Sequence, residues 1–223
     1  MNTKHRAARF SFLLLILLLT LNSCIGLSLN IQMNKDGSGR LSMEYRISKM
    51  VNNLGALDGN EAMPSIPVGK TDWERAVNRV PGARLVSYSS VEEKQDNVIK
   101  VVVDYKDDQA LLALLDPFGK RTSLSKQGQS GKLDLIILDK PVDYSKYDEE
   151  LVNLMRVFAE GYNIYVTFSG LTNSTLTVTD GAGNVIPPQA GAKTVLSGKK
   201  VSYSIGIMDL LDIKDGLGLR FTW

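Results

Sequence analysis

The chain of 223 residues holds one thiol, Cys24, and one imidazole, His5. Those two groups, together with the carboxylates, bound the reactions the sequence could support. A thiolate is a nucleophile and a metal ligand, and Cys24 closes the run Leu21-Asn22-Ser23-Cys24 directly behind an apolar stretch. Two carboxyl groups can cleave a glycosidic bond as acid and base when they flank it about 5 to 10 Å apart. Three carboxylate pairs occur, Glu92-Glu93, Asp107-Asp108 and Glu149-Glu150. Each is adjacent in sequence, and adjacent side chains do not face one another on a helix or a strand. Turn and helix-start positions account for them better, because acidic groups are favoured at helix amino termini.

Residues 1 to 23 have the three parts of an export signal: basic Lys4, Arg6 and Arg9, an apolar core from Phe10 to Leu19, and small or polar residues before a cut. The core is about half the roughly 20 residues that a permanent membrane helix needs, so the segment reads as a signal to be removed. The Leu21-Asn22-Ser23-Cys24 motif resembles the lipobox of the bacterial lipoprotein family. Leu21 supplies the apolar residue three positions upstream, Ser23 the small residue before the cut, and Cys24 the thiol; Asn22 is a less common choice at its position. The resemblance implies diacylglyceryl transfer to Cys24, cleavage between Ser23 and Cys24, and acylation of the new amino terminus by a fatty acid such as palmitate. Cys24 is the only cysteine, and lipidation would consume a thiol that an exported protein would otherwise carry unpaired. Each buried methylene contributes about 0.8 kcal/mol, so two or three chains hold a protein on a membrane. The expected location is therefore the bacterial cell envelope. By resemblance to sorting rules of some Gram-negative groups, Ile25 after the cysteine favours the outer membrane.

Cleavage takes away Lys4, Arg6 and Arg9, three of the 26 basic residues, leaving 23 against 24 acidic ones. A near-neutral body gives no support for a nucleic-acid partner. Clusters such as Lys199-Lys200 and Lys120-Arg121 read as solvated turns. His5 leaves with the signal and Cys24 becomes the lipid attachment point. That excludes Ser-His-Asp and Cys-His catalysis, His or Cys zinc sites, and haem ligation by either residue. No glycine-rich phosphate loop is present. The sequence calls for no cofactor and no metal.

The remaining 200 residues or so suit one compact domain, or one domain with a packed extension. Leu27, Leu29, Ile31 and Met33 alternate with polar residues, and Leu41, Met43, Tyr45 and Ile47 repeat this after Asn34-Lys35-Asp36-Gly37-Ser38-Gly39. Period two on both sides of a glycine-rich turn predicts a β-hairpin; the turn's likeness to a calcium loop lacks the downstream glutamate. Thr71 to Glu74 reads as a capping box opening a helix with Trp73, Ala76, Val77 and Val80 on one face. A second hairpin spans about Arg84 to Val91 and Val98 to Tyr105, followed by a helix from Asp107 or Asp108 to Leu115 that Pro117 and Gly119 close. A third covers Thr122 to Lys126 and Leu133 to Leu138, followed by a helix capped by Ser145 with Asp148, its stripe being Tyr147, Leu151, Leu154, Met155 and Phe158. From Tyr162 the sequence predicts short strands: Tyr162 to Phe168, Leu176 to Thr179, Thr194 to Leu196, Val201 to Ile207 and Leu217 to Trp223. The expected fold is α+β, an antiparallel sheet of hairpins with about three short helices on one face. The expected divisions are 1–23 as signal, 24–161 as a hairpin-helix region, and 162–223 as a β-rich region packed into the same domain. No second hydrophobic span is read, so Cys24 is the expected membrane attachment.

A lipobox, an immediate strand, the Asp36-Gly37-x-Gly39 turn, a second strand, and hairpins followed by Leu-rich helices such as Gln109 to Leu115 together resemble the LppM-type group of bacterial envelope lipoproteins. The likeness runs in outline from Leu27 to Trp223. It implies an antiparallel α+β domain exposed at a membrane, with lipid or glycolipid contact proposed for some members; the carboxyl-terminal span that some of them carry has no counterpart here.

The sequence thus favours a non-catalytic binding or scaffold module at the envelope, its partner a lipid, a glycolipid, a glycan or another envelope protein. Trp73, Met155, Phe158 and Met208 are candidates for lining an apolar groove, although helical spacing already explains them as core. The alternative is a carboxylate-dependent hydrolase of envelope polysaccharide. A third reading is a subunit of an envelope assembly, in which an edge strand between Tyr162 and Trp223 extends a neighbour's sheet.

Overall fold

The computed structural model describes residues 25–49, 67, 69–94, 96–146 and 148–223. Residues 1–24, which carry Ser23 and Cys24, lie outside the described residues, as do 50–66, 68, 95 and 147. The elements run β1 (Ile25–Met33), β2 (Gly39–Ser48), α1 (Lys70–Asn78), β3 (Ala83–Glu92), β4 (Asp96–Tyr105), α2 (Asp108–Leu115), β5 (Thr122–Gln127), β6 (Ser130–Leu138), α3 (Glu149–Ala159), β7 (Asn163–Ser169), β8 (Thr175–Thr179), β9 (Lys193–Ser197), β10 (Lys200–Gly206), α4 (Ile207–Leu211) and β11 (Leu217–Thr222). They make an α+β fold of two sheets. One has seven strands in the order β3-β4-β2-β1-β7-β10-β9, the other four in the order β5-β6-β11-β8.

Alternation assigns the faces of the large sheet. Leu27, Leu29 and Ile31 pair with Tyr45, Met43 and Leu41 across β1 and β2, and those with Ile99, Val101 and Val103 across β4. On the other side, Leu27, Leu29 and Ile31 pair with Ile164, Val166 and Phe168 of β7, which meet Ile205, Tyr203 and Val201 of β10. Partners in register share a face, so one continuous apolar surface crosses five strands. Under one part of it lies α1, whose buried Trp73 and Val77 pack with Tyr45, Ile99, Val101 and Val103. The small sheet covers the rest, with Ala110 and Leu111 of α2 and Leu210 of α4. Leu27, Met43 and Leu114 touch both clusters. The opposite face carries Ser28, Asn30, Gln32, Ser42, Thr167, Ser202 and Ser204 on its central strands and cross-strand ion pairs on β2, β3 and β4.

The sheets are joined by a stack of rings. Phe168, fully buried, lies 5.3 Å from Phe221 and 5.2 Å from Trp223, tilted by 24° and 23°. Across β6 and β11, Arg220 Nε donates to Asp134 at 2.6 Å. Burial pushes the Asp134 carboxyl up, but the hydrogen bonds from Arg220 and Lys132 outweigh it and leave it below the usual carboxylate range.

The strand expectations meet these elements with end shifts of one to three residues, the largest at the start of β6 (Ser130 against an expected Leu133), and the other differences have local causes. The pairing of β1 with β7 is parallel; a parallel pair needs a long crossover, and here the crossover includes most of the first three hairpins and helices. Gly69, not Thr71, caps α1, and Asp72 accepts from the Gly69 N–H at 3.3 Å. Asp107 caps α2 by accepting from the Ala110 N–H at 2.9 Å. Ser145 does not cap α3: its hydroxyl donates to Asp143 at 2.6 Å within a 3-10 turn over Tyr144–Lys146, and the Asp148 carbonyl takes the first helical bond, from Val152. Ile207, which continues the alternation of β10, instead opens α4 behind Gly206.

Candidate functional site

Strand β1 fixes the two ends of the body. It begins at Ile25 in the middle of the large sheet, directly after Cys24. The start of β7 and the end of β10 lie beside it, through the Ile25, Asn163 and Gly206 register. At the other end, about 26 Å away over the eight steps to Met33, are the β1–β2 turn, the β5–β6 turn, the end of β7 and the β9–β10 turn.

None of the three carboxylate pairs lines a cleft described below; each has local work. Glu92 meets Lys49 Nζ at 2.5 Å, and its carboxyl lies below the usual range because Lys49 donates to it. Glu93 meets Arg46 at 2.6 Å. Asp107 caps α2, and Asp108 holds Lys126 Nζ at 2.5 Å. Glu149 and Glu150 are exposed in the first turn of α3. Among the described residues no group of three or more His, Cys, Asp or Glu side chains is placed to hold a metal ion.

The groove candidates do not converge either. Trp73 is buried in the core under α1, and its indole N–H donates to the Tyr45 hydroxyl at 2.9 Å, which in turn donates to the Pro67 carbonyl. Met208 is half-buried on α4. The side chains of Met155 and Phe158, like those of Leu151 and Leu154, lie outside the described residues. Among the described residues no helix is long and apolar enough to cross a membrane.

Three clefts stand out. One of about 360 Å³ is acidic, lined by Asp209, Asp212 and Asp215 with Lys214, Gln189 and Ile213; Asp212 is engaged by Arg156 at 2.7 Å, which holds its carboxyl low. The other two open at the end opposite the start of β1 and share Asn34. The shallower, about 440 Å³, is floored by Gln32, Ser38, Arg40, Asp104 and Tyr105. Its charges are spent on each other: Asp104 accepts from Arg40 at 2.7 Å and from Arg84 at 2.9 Å, and the Arg40 hydrogen bond draws its carboxyl below the usual range. Tyr105 donates to the Gln32 carbonyl at 2.9 Å, and a Cβ at Gly39 would fall on both that carbonyl and the Tyr105 hydroxyl. Glycine is what lets β2 begin there.

The deeper distal cleft, about 190 Å³, is lined by Asn34, Lys35, Lys126, Gly128, Gln129, Leu171 and Trp223. The Trp223 ring is fixed on three sides. It stacks on Phe168, its backbone N–H and carbonyl pair with Gly131 at 3.1 and 2.9 Å, and its ring lies where a Cβ of residue 131 would be. The β1–β2 turn is held by the Ser38 backbone N–H and hydroxyl donating to Asp36, at 3.0 and 2.7 Å, and by Asn34 Nδ2 donating to the Ser38 hydroxyl at 3.0 Å. Those bonds keep the Asp36 carboxyl low. Sequence reading placed Lys35 in a turn and Trp223 on a strand face. Nothing local links them to Lys126 and Gln129, because three separate turns and the end of β11 build the cleft.

No family model matches the chain, and no curated protein sequence does. Among solved structures, the NMR structure of the folded domain of LppM from Mycobacterium tuberculosis is similar at a TM-score of 0.44 and 10% identity, over 88% of this chain and 90% of that one.

Proposed function

We propose that this protein is a lipid-anchored bacterial envelope protein whose body is a non-catalytic binding or scaffold module. The observation that carries the reading is the junction between Leu21-Asn22-Ser23-Cys24 and β1: a lipobox-like motif ends one residue before the central strand of a folded sheet. A diacylated Cys24 would fasten the body at one end with no linker and turn its clefts at the opposite rim away from the bilayer. The chemistry of the body supports recognition over catalysis. After Ser23 it has no histidine and no cysteine beyond Cys24, and the sequence-adjacent carboxylates are used for ion pairs and helix starts. The partner, whether amphiphile, glycan or envelope protein, meets the part of the body that the tether leaves open. The test is metabolic labelling with a clickable fatty-acid analogue. The wild-type chain takes up the label and fractionates with membranes, whereas Cys24→Ala takes up none and is released; label retained by Cys24→Ala would refute the anchor.

A further inference from the structure

We propose that the 190 Å³ distal cleft is a subsite for a single sugar ring carrying a carboxylate. The inference rests on the recognition reading above and names its ligand class.

Size comes first. Pockets for drug-sized ligands run from about 300 Å³ upward, so this cleft takes something smaller, and its mixed lining does not suit an acyl chain. The lining then sets the chemistry. Trp223 offers an immobilised indole, and an indole is an apolar plate with one donor; the C–H face of a pyranose lies flat on such a plate. Around the plate stand groups with hydrogen-bonding capacity to spare: the Gln129 amide, the Asn34 side-chain oxygen Oδ1, and the Lys35 ammonium, for which the described residues provide no carboxylate. Sugar hydroxyls are both donors and acceptors, so amides suit them.

Charge gives the carboxylate. Lys35 and Lys126 line the cleft, and Lys199 and Lys200 stand exposed on the same rim, tied to it by the Gly170 N–H donating to the Lys199 carbonyl at 3.3 Å beside Leu171. Two carboxylates answer these four ammonium groups: Asp108, bound to Lys126, and Asp36, which accepts twice from Ser38. The rim is thus left net positive on a body that is near neutral. Lys35 is the ammonium inside the cleft free to meet an anion on the ring, and a charge-assisted hydrogen bond is about twice as strong as a neutral one.

The test uses the full chain purified in mild detergent with 15N-indole tryptophan, which gives two side-chain signals, Trp73 and Trp223. Three probes at matched ionic strength separate the parts of the ligand: D-glucuronate has ring and charge, D-glucose the ring, and acetate the charge. The expected result is a saturable shift of the Trp223 signal with glucuronate, a weaker one with glucose, none with acetate, and no movement of Trp73. Lys35→Ala should weaken glucuronate about tenfold and leave glucose unchanged, and Gln129→Ala should weaken both; these residues are exposed in turns, so the variants fold. A Trp223 signal unmoved by both sugars, or moved as far by acetate as by glucuronate, overturns the proposal. Such a failure leaves fatty-acid labelling of Cys24 untouched, so the two readings fail separately.

Discussion

Replacing Phe168 by alanine tests the architecture at its joint. Phe168 is the inward residue of β7 opposite Ile31 in the parallel pairing and opposite Val201 on the other side. It is fully buried, and its ring stacks on both Phe221 and Trp223 of the second sheet. Phe→Ala at buried sites costs about 3 to 5 kcal/mol through lost transfer energy and the cavity left behind. Two aromatic neighbours, each worth about 0.5 to 1.5 kcal/mol beyond area burial, put this site near the top of that range, about 4 to 5 kcal/mol. The contrast is one residue away. Thr167 points to the open face, where its hydroxyl meets that of Ser202 at 3.1 Å, so Thr167→Ala should cost about 1 kcal/mol or less. Urea unfolding followed by tryptophan fluorescence measures both. With a slope of about 2 to 3 kcal/mol per molar, Phe168→Ala lowers the midpoint by about 2 M and Thr167→Ala by less than 0.5 M. A one-residue slip of β7 would exchange the two faces. Equal midpoint shifts, or a larger one for Thr167→Ala, would refute the assigned register and the ring stack that supports Trp223.

Two further outcomes follow from single residues. Burial opposes charge on the Asp116 carboxyl, but backbone N–H groups of Arg121, Thr122 and Phe118 donate to it and hold it below the usual range. A carboxyl depressed on folding contributes stability in full above its unfolded value near 3.9 and loses that contribution as pH falls through the folded value. Asp116→Asn should therefore melt lower than wild type at pH 7, with the gap closing toward pH 2; a gap independent of pH would contradict the assignment. Gly39→Ala forces a methyl onto the Gln32 carbonyl and the Tyr105 hydroxyl, a backbone clash that should cost about 2 kcal/mol or more. A melting temperature within a degree of wild type would show that β2 starts elsewhere.

The hairpins could be read from the sequence because period-two patterns and glycine turns are local signals. Leu27 to Met33 and Leu41 to Ile47 face the core as their alternation requires. What could not be read is non-local. The residues of β7 alternate as any strand's would, and nothing in Ile164, Val166 and Phe168 specifies β1 as a parallel neighbour over β6. Ile207 kept the strand rhythm, yet the chain turns at Gly206 into α4. Ser145 matched a capping pattern, but Asp143 lay nearer to its hydroxyl. For the distal cleft, Lys35, Lys126, Gln129 and Trp223 carry no shared motif. The acidic pairs were visible, and their helix-start and ion-pair roles followed from ordinary charge rules.

The central parallel pair also sets an order of events. Strand β1 closes against β2 almost at once, since the two are joined by a short turn, but its other edge stays open until β7 has been delivered. Long-range pairing of this kind forms late. In the export proposed above, a chain emerging amino end first would keep β1 half-bonded while most of the polypeptide is still in transit. Under the lipidation proposed above, processing between Ser23 and Cys24 would therefore come before the sheet is complete.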